Sequence, residues 1–143
     1  MNRPLDHALA LLQKARDDAW MFKELLKHPD TPRWGLGFHA QQASEKAIKA
    51  VLTSRGIKYP FTHDLQTILN LLGENGLPPP PRAAELPLLS PFGALYRYDA
   101  IVEILPEELP APAWLETCVS DLLAWAEALV RVSNIATDIS APP

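Results

Sequence analysis

The sequence predicts an all-α protein, an up-and-down helical bundle of about five helices. Two patterns and one shortage point there. Between Pro4 and Lys27, the residues Leu5, Ala8, Leu12, Ala15, Ala19, Phe22 and Leu26 recur at spacings of three and four, the period of one helix face. From Phe38 to Leu52 the chain reads FHAQQASEKAIKAVL, in which Ala40, Ala43, Ala47, Ala50 and Val51 form a second stripe, broadened by Ser44, Ile48 and Leu52. Six glycines in 143 residues and few runs of β-branched residues argue against a sheet-rich fold.

The first helix is predicted from Pro4, whose missing N–H is harmless in a first turn, to Lys27. Its other side carries Gln13, Lys14, Asp17, Lys23 and Glu24, a solvated face. The pattern ends after about three heptads, which favours a bundle helix over a coiled coil. His28-Pro29-Asp30-Thr31-Pro32 breaks it, since two closely spaced prolines cannot continue a helix. The second helix runs from about Trp34 to Arg55, with Gly56 as a left-handed stop. Its alanine stripe lets a neighbour approach closely, which makes it the central helix.

Thr62-His63-Asp64 opens the third helix, with Thr62 as cap and Asp64 at the positive end of the dipole. Leu65, Ile68, Leu69 and Leu72 face the core, and Gly73 and Gly76 end the helix. Residues 77–91 are proline-rich, and Pro78 to Pro81 predict an extended polyproline spacer. A short or broken helix follows over Ala83 to Tyr98, cleaner after Pro91, and delivers Tyr96-Arg97-Tyr98-Asp99. Beyond a loop bracketed by Pro106 and Pro110, the last helix is expected from Ala113 to Ala136. Leu115, Val119, Leu122, Ala126, Leu129 and Ser133 share one of its faces. Residues 137–143 read as a frayed tail, and the whole chain, 1–143, as a single domain with no internal repeat.

Composition narrows the function. Hydrophobic residues make up 48% and charged residues 21%, the balance of a soluble globular chain. The net charge of −4 is no nucleic-acid footprint for the chain as a whole, although a local basic patch is compatible with it. Cys118 is the only cysteine, which excludes intrachain disulfides and cysteine-cluster metal sites; it falls in a helical pattern and is expected to be buried. A cytoplasmic location fits. Asp6 and His7 interrupt the only candidate secretion signal, and Asp121, Glu127 and Arg131 punctuate the most apolar late segment, so no membrane span is expected.

No glycine-rich phosphate loop is present. His7, His28, His39 and His63 are scattered and accompany no metal-binding spacing, so no metal is expected, nor any cofactor. His39 reads as a structural or surface residue. His63, at a helix start beside an acid, suits a hydrogen-bonding imidazole. Gln42, Glu45, Lys46 and Lys49 share the polar face of the central helix. As a favourable i,i+4 pair, Glu45 and Lys49 need mean only a few tenths of a kcal/mol of helix support. Arg97 offers a bidentate guanidinium for phosphate, with Tyr96 or Tyr98 able to stack, or else it pairs structurally with Glu45 or Asp99.

These residues together resemble the HEPN family, the higher eukaryotes and prokaryotes nucleotide-binding domains. The likeness rests on FHAQQASEKAIKAVL at 38–52, His63-Asp64-Leu65 and Arg97-Tyr98, with Ala15 and Asp18 on the preceding helix, and covers nearly the whole chain. It implies a five-helix bundle, usually a homodimer, that associates with nucleotides or RNA. Small stand-alone members are commonly encoded beside a minimal nucleotidyltransferase, and many such pairs act as toxin–antitoxin modules. Catalytic members are metal-independent ribonucleases with an arginine followed by four to six residues and a histidine.

This chain departs from that motif. After Arg97 come Tyr98, Asp99, Ala100, Ile101, Val102, Glu103 and Ile104, and no histidine occurs after His63. A missing proton-transfer group typically removes a factor of ~10²–10⁴ in rate. Glu103 is a poor substitute, because a carboxylate repels the scissile phosphate. The resemblance therefore implies a non-catalytic or weakly catalytic member. Its ligand site would be built from Gln42, Glu45, Lys46, Lys49, His63, Arg97 and Tyr98. Two alternatives stand beside it: a divergent ribonuclease using Arg97 and His63, and a ligand-free interaction module. The apolar stripes of the first and last helices can each serve core or dimer.

Overall fold

The computed structural model describes residues 3–94 and 110–140, with side chains described over 3–93 and 110–132. The chain is all-α among these residues. It forms α1 (Arg3–Leu26), α2 (Arg33–Ser54), α3 (Leu65–Glu74), a 3-10 helix (Leu86–Ala94) and α4 (Pro112–Ser140). As expected, α2 is the hub: it packs against α1, α3, α4 and the 3-10 helix.

The stripe on α1 is spent on the core. Leu5, Ala8, Leu12, Ala15, Ala19 and Phe22 are all buried, and the large apolar groups that α1 leaves exposed are Leu9, Trp20 and Met21. Asp18 is buried among them. On α2 the alanines lie at or near zero exposure, which permits the close helix approach that their spacing predicts. The polar side of α2 departs from ordinary solvation: Gln41, Ser44, Glu45 and Lys49 are buried too. Only the start of the helix, at Arg33 and Trp34, is exposed, and a stripe through Phe38, His39, Gln42 and Lys46 is partly buried.

Gly56 has φ 69° and ends α2, where the Ile57 N–H reaches back to Leu52 O at 2.9 Å. The cap of α3 differs from expectation. Asp64, not Thr62, holds that position and accepts from Gln66 N at 3.2 Å, while Thr62 Oγ1 accepts from Asp64 N at 3.0 Å. Gly73 lies inside α3, and Gly76, at φ 69°, stops it.

The proline-rich stretch crosses α4. Trp125 Nε1 donates to Pro78 O at 3.3 Å, Trp114 Nε1 to Glu85 Oε2 at 3.0 Å, and Arg82 to Asp121 Oδ2 at 2.6 Å. Arg82 itself takes φ 59°, an uncommon left-handed turn for a non-glycine residue. The helix expected over 83–98 begins later, at Leu86, and is a 3-10 helix lying on both sides of Pro91. Pro87 and Pro91 lack the N–H groups that an α-helix needs. Leu86, Leu89 and Phe92, three apart, are all buried, which is one face of a three-residue turn. The remainder of that predicted segment, through Tyr98, lies outside the described residues.

Helix α4 runs longer than expected at both ends. Leu115, Cys118, Val119, Leu122 and Ala126 face the core as expected, but Val130 rather than Leu129 completes the row. The Ser133 side chain lies outside the described residues. Burial pushes the Cys118 thiol up to about 11. No helix among the described residues is long and apolar enough to cross a membrane.

Candidate functional site

Two polar clusters hang from α2, on different sides of its axis. The first is centred on Glu45, which is 5% exposed. Its Oε1 accepts from Gln41 Nε2 at 3.0 Å and lies 2.9 Å from His63 Nδ1, while Oε2 takes Lys49 Nζ at 3.1 Å. Lys49 also donates to Thr62 O at 2.9 Å and sits 5.3 Å from the centre of the Tyr59 ring. Gln41 reaches His63 O at 3.2 Å and receives Gln42 Nε2 at 2.7 Å. The cluster therefore ties the middle of α2 to the 59–63 link that leads into α3.

Three donors on one buried carboxylate leave Glu45 well satisfied. Because the acceptor is a carboxylate, the Nδ1 atom of His63 carries the proton. The His63 side chain is 31% exposed, so the cluster opens to solvent at the imidazole, with the fully exposed Phe61 ring edge-on to it at 5.7 Å. Glu45 and Lys49 cancel each other's charge. Attraction for a phosphate here must come from a further cation.

The second cluster is centred on Asp18 of α1, which is 4% exposed. Lys46 Nζ meets Asp18 Oδ2 at 2.5 Å and His39 Nδ1 lies 3.2 Å from Oδ1. His39 is thus a structural residue, joining α2 to α1. Burial, the largest single influence on Asp18, raises its pKa, but the hydrogen bonds and charges of His39 and Lys46 together outweigh it and hold the carboxyl below 3.8. A carboxyl depressed in the fold stabilises the protein above its unfolded pKa. That contribution disappears as pH falls below the unfolded value and through the folded one. Urea midpoints followed from about pH 6 to about pH 3 are expected to fall more steeply in the native protein than in Asp18→Asn. Equal slopes would show that the Asp18 cluster contributes nothing to acid stability.

Of the sequence-predicted site residues, the structure brings together Glu45, Lys49 and His63, with Gln42 at the margin. Lys46 goes instead to Asp18. Arg97 and Tyr98 lie outside the described residues. Sequence reasoning missed Gln41 and Gly93. Gln41 is 0% exposed, and a Cβ on Gly93 would come 2.7 Å from its amide carbon, so the 3-10 helix closes directly over it. The local sequence carried no sign of that contact, since Gly93 is distant in the chain. Among the described residues no group of three or more His, Cys, Asp or Glu side chains is placed to hold a metal.

The fold and this site define a helical bundle whose central helix carries a carboxylate–lysine pair turned toward a histidine at the mouth of the third helix. Comparison with protein-family models matches the HEPN domain over residues 8–135. The chain belongs to the HEPN domain family. Comparisons with curated proteins and with solved structures return no match.

Proposed function

We propose that this HEPN protein binds the phosphate of a nucleotide or RNA at the Glu45–His63 cluster, with Arg97 supplying the cation that the cluster lacks. The observation that carries the reading is the 2.9 Å contact of Glu45 with His63, which holds the imidazole at the margin of the cluster. Chain length supports the part given to Arg97. Gly93 packs on Gln41, and four extended residues span about 14 Å, enough for the guanidinium to reach the cluster. Tyr98 would stack beside it. Lys46 and Lys49, committed to Asp18 and Glu45, act by orienting the site rather than by holding phosphate.

Family membership supports the biological role: a homodimeric partner of a minimal nucleotidyltransferase in the cytoplasm, within a toxin–antitoxin pair. The chain would act as one domain, without metal or cofactor. The missing histidine after Arg97 supports a non-catalytic or weakly catalytic member.

The Glu45–His63 contact also favours a second reading, a divergent ribonuclease in which His63 is the base and Arg97 stabilises the phosphate charge. Incubating a mixed RNA pool with the protein in EDTA separates the two. The binding reading predicts no cleavage beyond that of Arg97→Ala and His63→Ala. Cleavage by the native protein that both substitutions abolish, in folded variants, would make it an enzyme.

A further inference from the structure

We propose that an open cavity at the C-terminal end of α2 is a separate site for a phosphate ester of nucleotide size. Its volume is about 490 Å³, and Arg3, His7, Thr53, Gly56, Lys58 and Tyr59 are among its walls. That volume lies within the range of small-molecule sites, roughly 300–1,000 Å³. The charge of its lining runs against that of the chain. The protein carries a net charge of −4, yet no aspartate or glutamate lines this cavity, while arginine, lysine and histidine converge on it.

Among the described residues, no carboxylate pairs with those basic groups. Arg16, Lys27, Lys46, Lys49 and Arg82 each meet a carboxylate. Arg3, His7 and Lys58 have no such partner among the described residues, as is also true of Lys14, Lys23, Arg33, Arg55 and Arg131, but only the first three are gathered around one cavity.

Helix ends do not decide the matter. The start of α1 and the end of α2 both border the cavity, and their half-charges of opposite sign, about 0.5 each, offset one another. Full side-chain charges therefore set the sign of the site, and they are positive. An arginine and a lysine suit the oxygens of a phosphate, and Tyr59 supplies an aromatic wall for a base. Tyr59 is also the link to the first site, since its ring faces the Lys49 ammonium at 5.3 Å. The two sites share no other residue, so this proposal does not depend on the Glu45–His63 reading.

The test is titration of the full chain with AMP and, separately, with a short single-stranded RNA, followed by amide NMR. Shifts are expected at His7, Gly56, Lys58 and Tyr59 with at least one of the probes. Affinity read from these cavity shifts should weaken with salt and fall at least tenfold in the Arg3→Ala/Lys58→Ala double variant. Arg3 and Lys58 are both exposed, so the variant should keep its fold, checked by circular dichroism. His63→Ala should leave these shifts intact. A response to AMP identifies a free nucleotide as ligand, and a response to RNA alone identifies a phosphodiester backbone. Absence of shifts with either probe, or native affinity in the double variant, would overturn the proposal.

Discussion

Replacing Glu45 with alanine is expected to lower folding stability by about 3–5 kcal/mol, the cost of leaving a buried charge without its partner. Lys49 is 9% exposed and would retain only Thr62 O and the Tyr59 ring, while Gln41 and His63 would each lose an acceptor. A solvated i,i+4 pair on an ordinary helix surface would cost only a few tenths of a kcal/mol, so the size of the loss separates the two descriptions. Urea unfolding of Glu45→Ala gives the number. The Glu45→Leu/Lys49→Met double variant should recover much of it, because two apolar side chains need no pairing. A loss below about 0.5 kcal/mol for Glu45→Ala would mean that water reaches the pair freely.

Phe92→Ala is expected to cost about as much, roughly 3–5 kcal/mol, since it empties a fully enclosed aromatic site. Phe92 is 2% exposed and fills the space above Gly37, where a Cβ would lie 2.6 Å from its ring. Gly37→Ala alone should therefore cost about 1–3 kcal/mol through overpacking. In the Phe92→Ala background that penalty should vanish, because the added methyl enters the vacated space. A double-mutant cycle measures this coupling, and additive effects would show that the 3-10 helix does not bear on α2 as described.

The helices were legible because the core pattern is written locally. The alternating spacings from Leu5 to Phe22 name the buried side of α1 residue by residue, and Cys118 is buried as its helical setting implies. Periodicity fails on α2 for a physical reason. A helix packed against four neighbours keeps only a narrow, partly buried outer stripe, and its polar residues turn to loop carbonyls and an α1 carboxylate that local sequence does not announce. Lys46 and Lys49 therefore look equivalent in the sequence but take different partners, Asp18 and Glu45. The short helix within 83–98 was legible but its 3-10 form was not, because two prolines break the α-helical pattern, although Leu86, Leu89 and Phe92 repeat at the three-residue period. Thr62 and Asp64 are both good capping residues two positions apart, and only the backbone path selects Asp64. Within the candidate site, the Glu45, Lys49 and His63 grouping was legible through the family resemblance, whereas the buried Gln41 beneath Gly93 was not.

The most direct measurement is the affinity of a fluorescein-labelled single-stranded RNA for the native protein, Arg97→Ala and His63→Ala, each shown folded by circular dichroism. Phosphate binding at the Glu45–His63 cluster predicts that the native protein binds, that binding weakens with salt, and that each substitution reduces affinity at least tenfold. No binding by the native protein, or affinity unchanged in both variants, would contradict it and leave the Glu45 cluster as a structural pin between α2 and the start of α3.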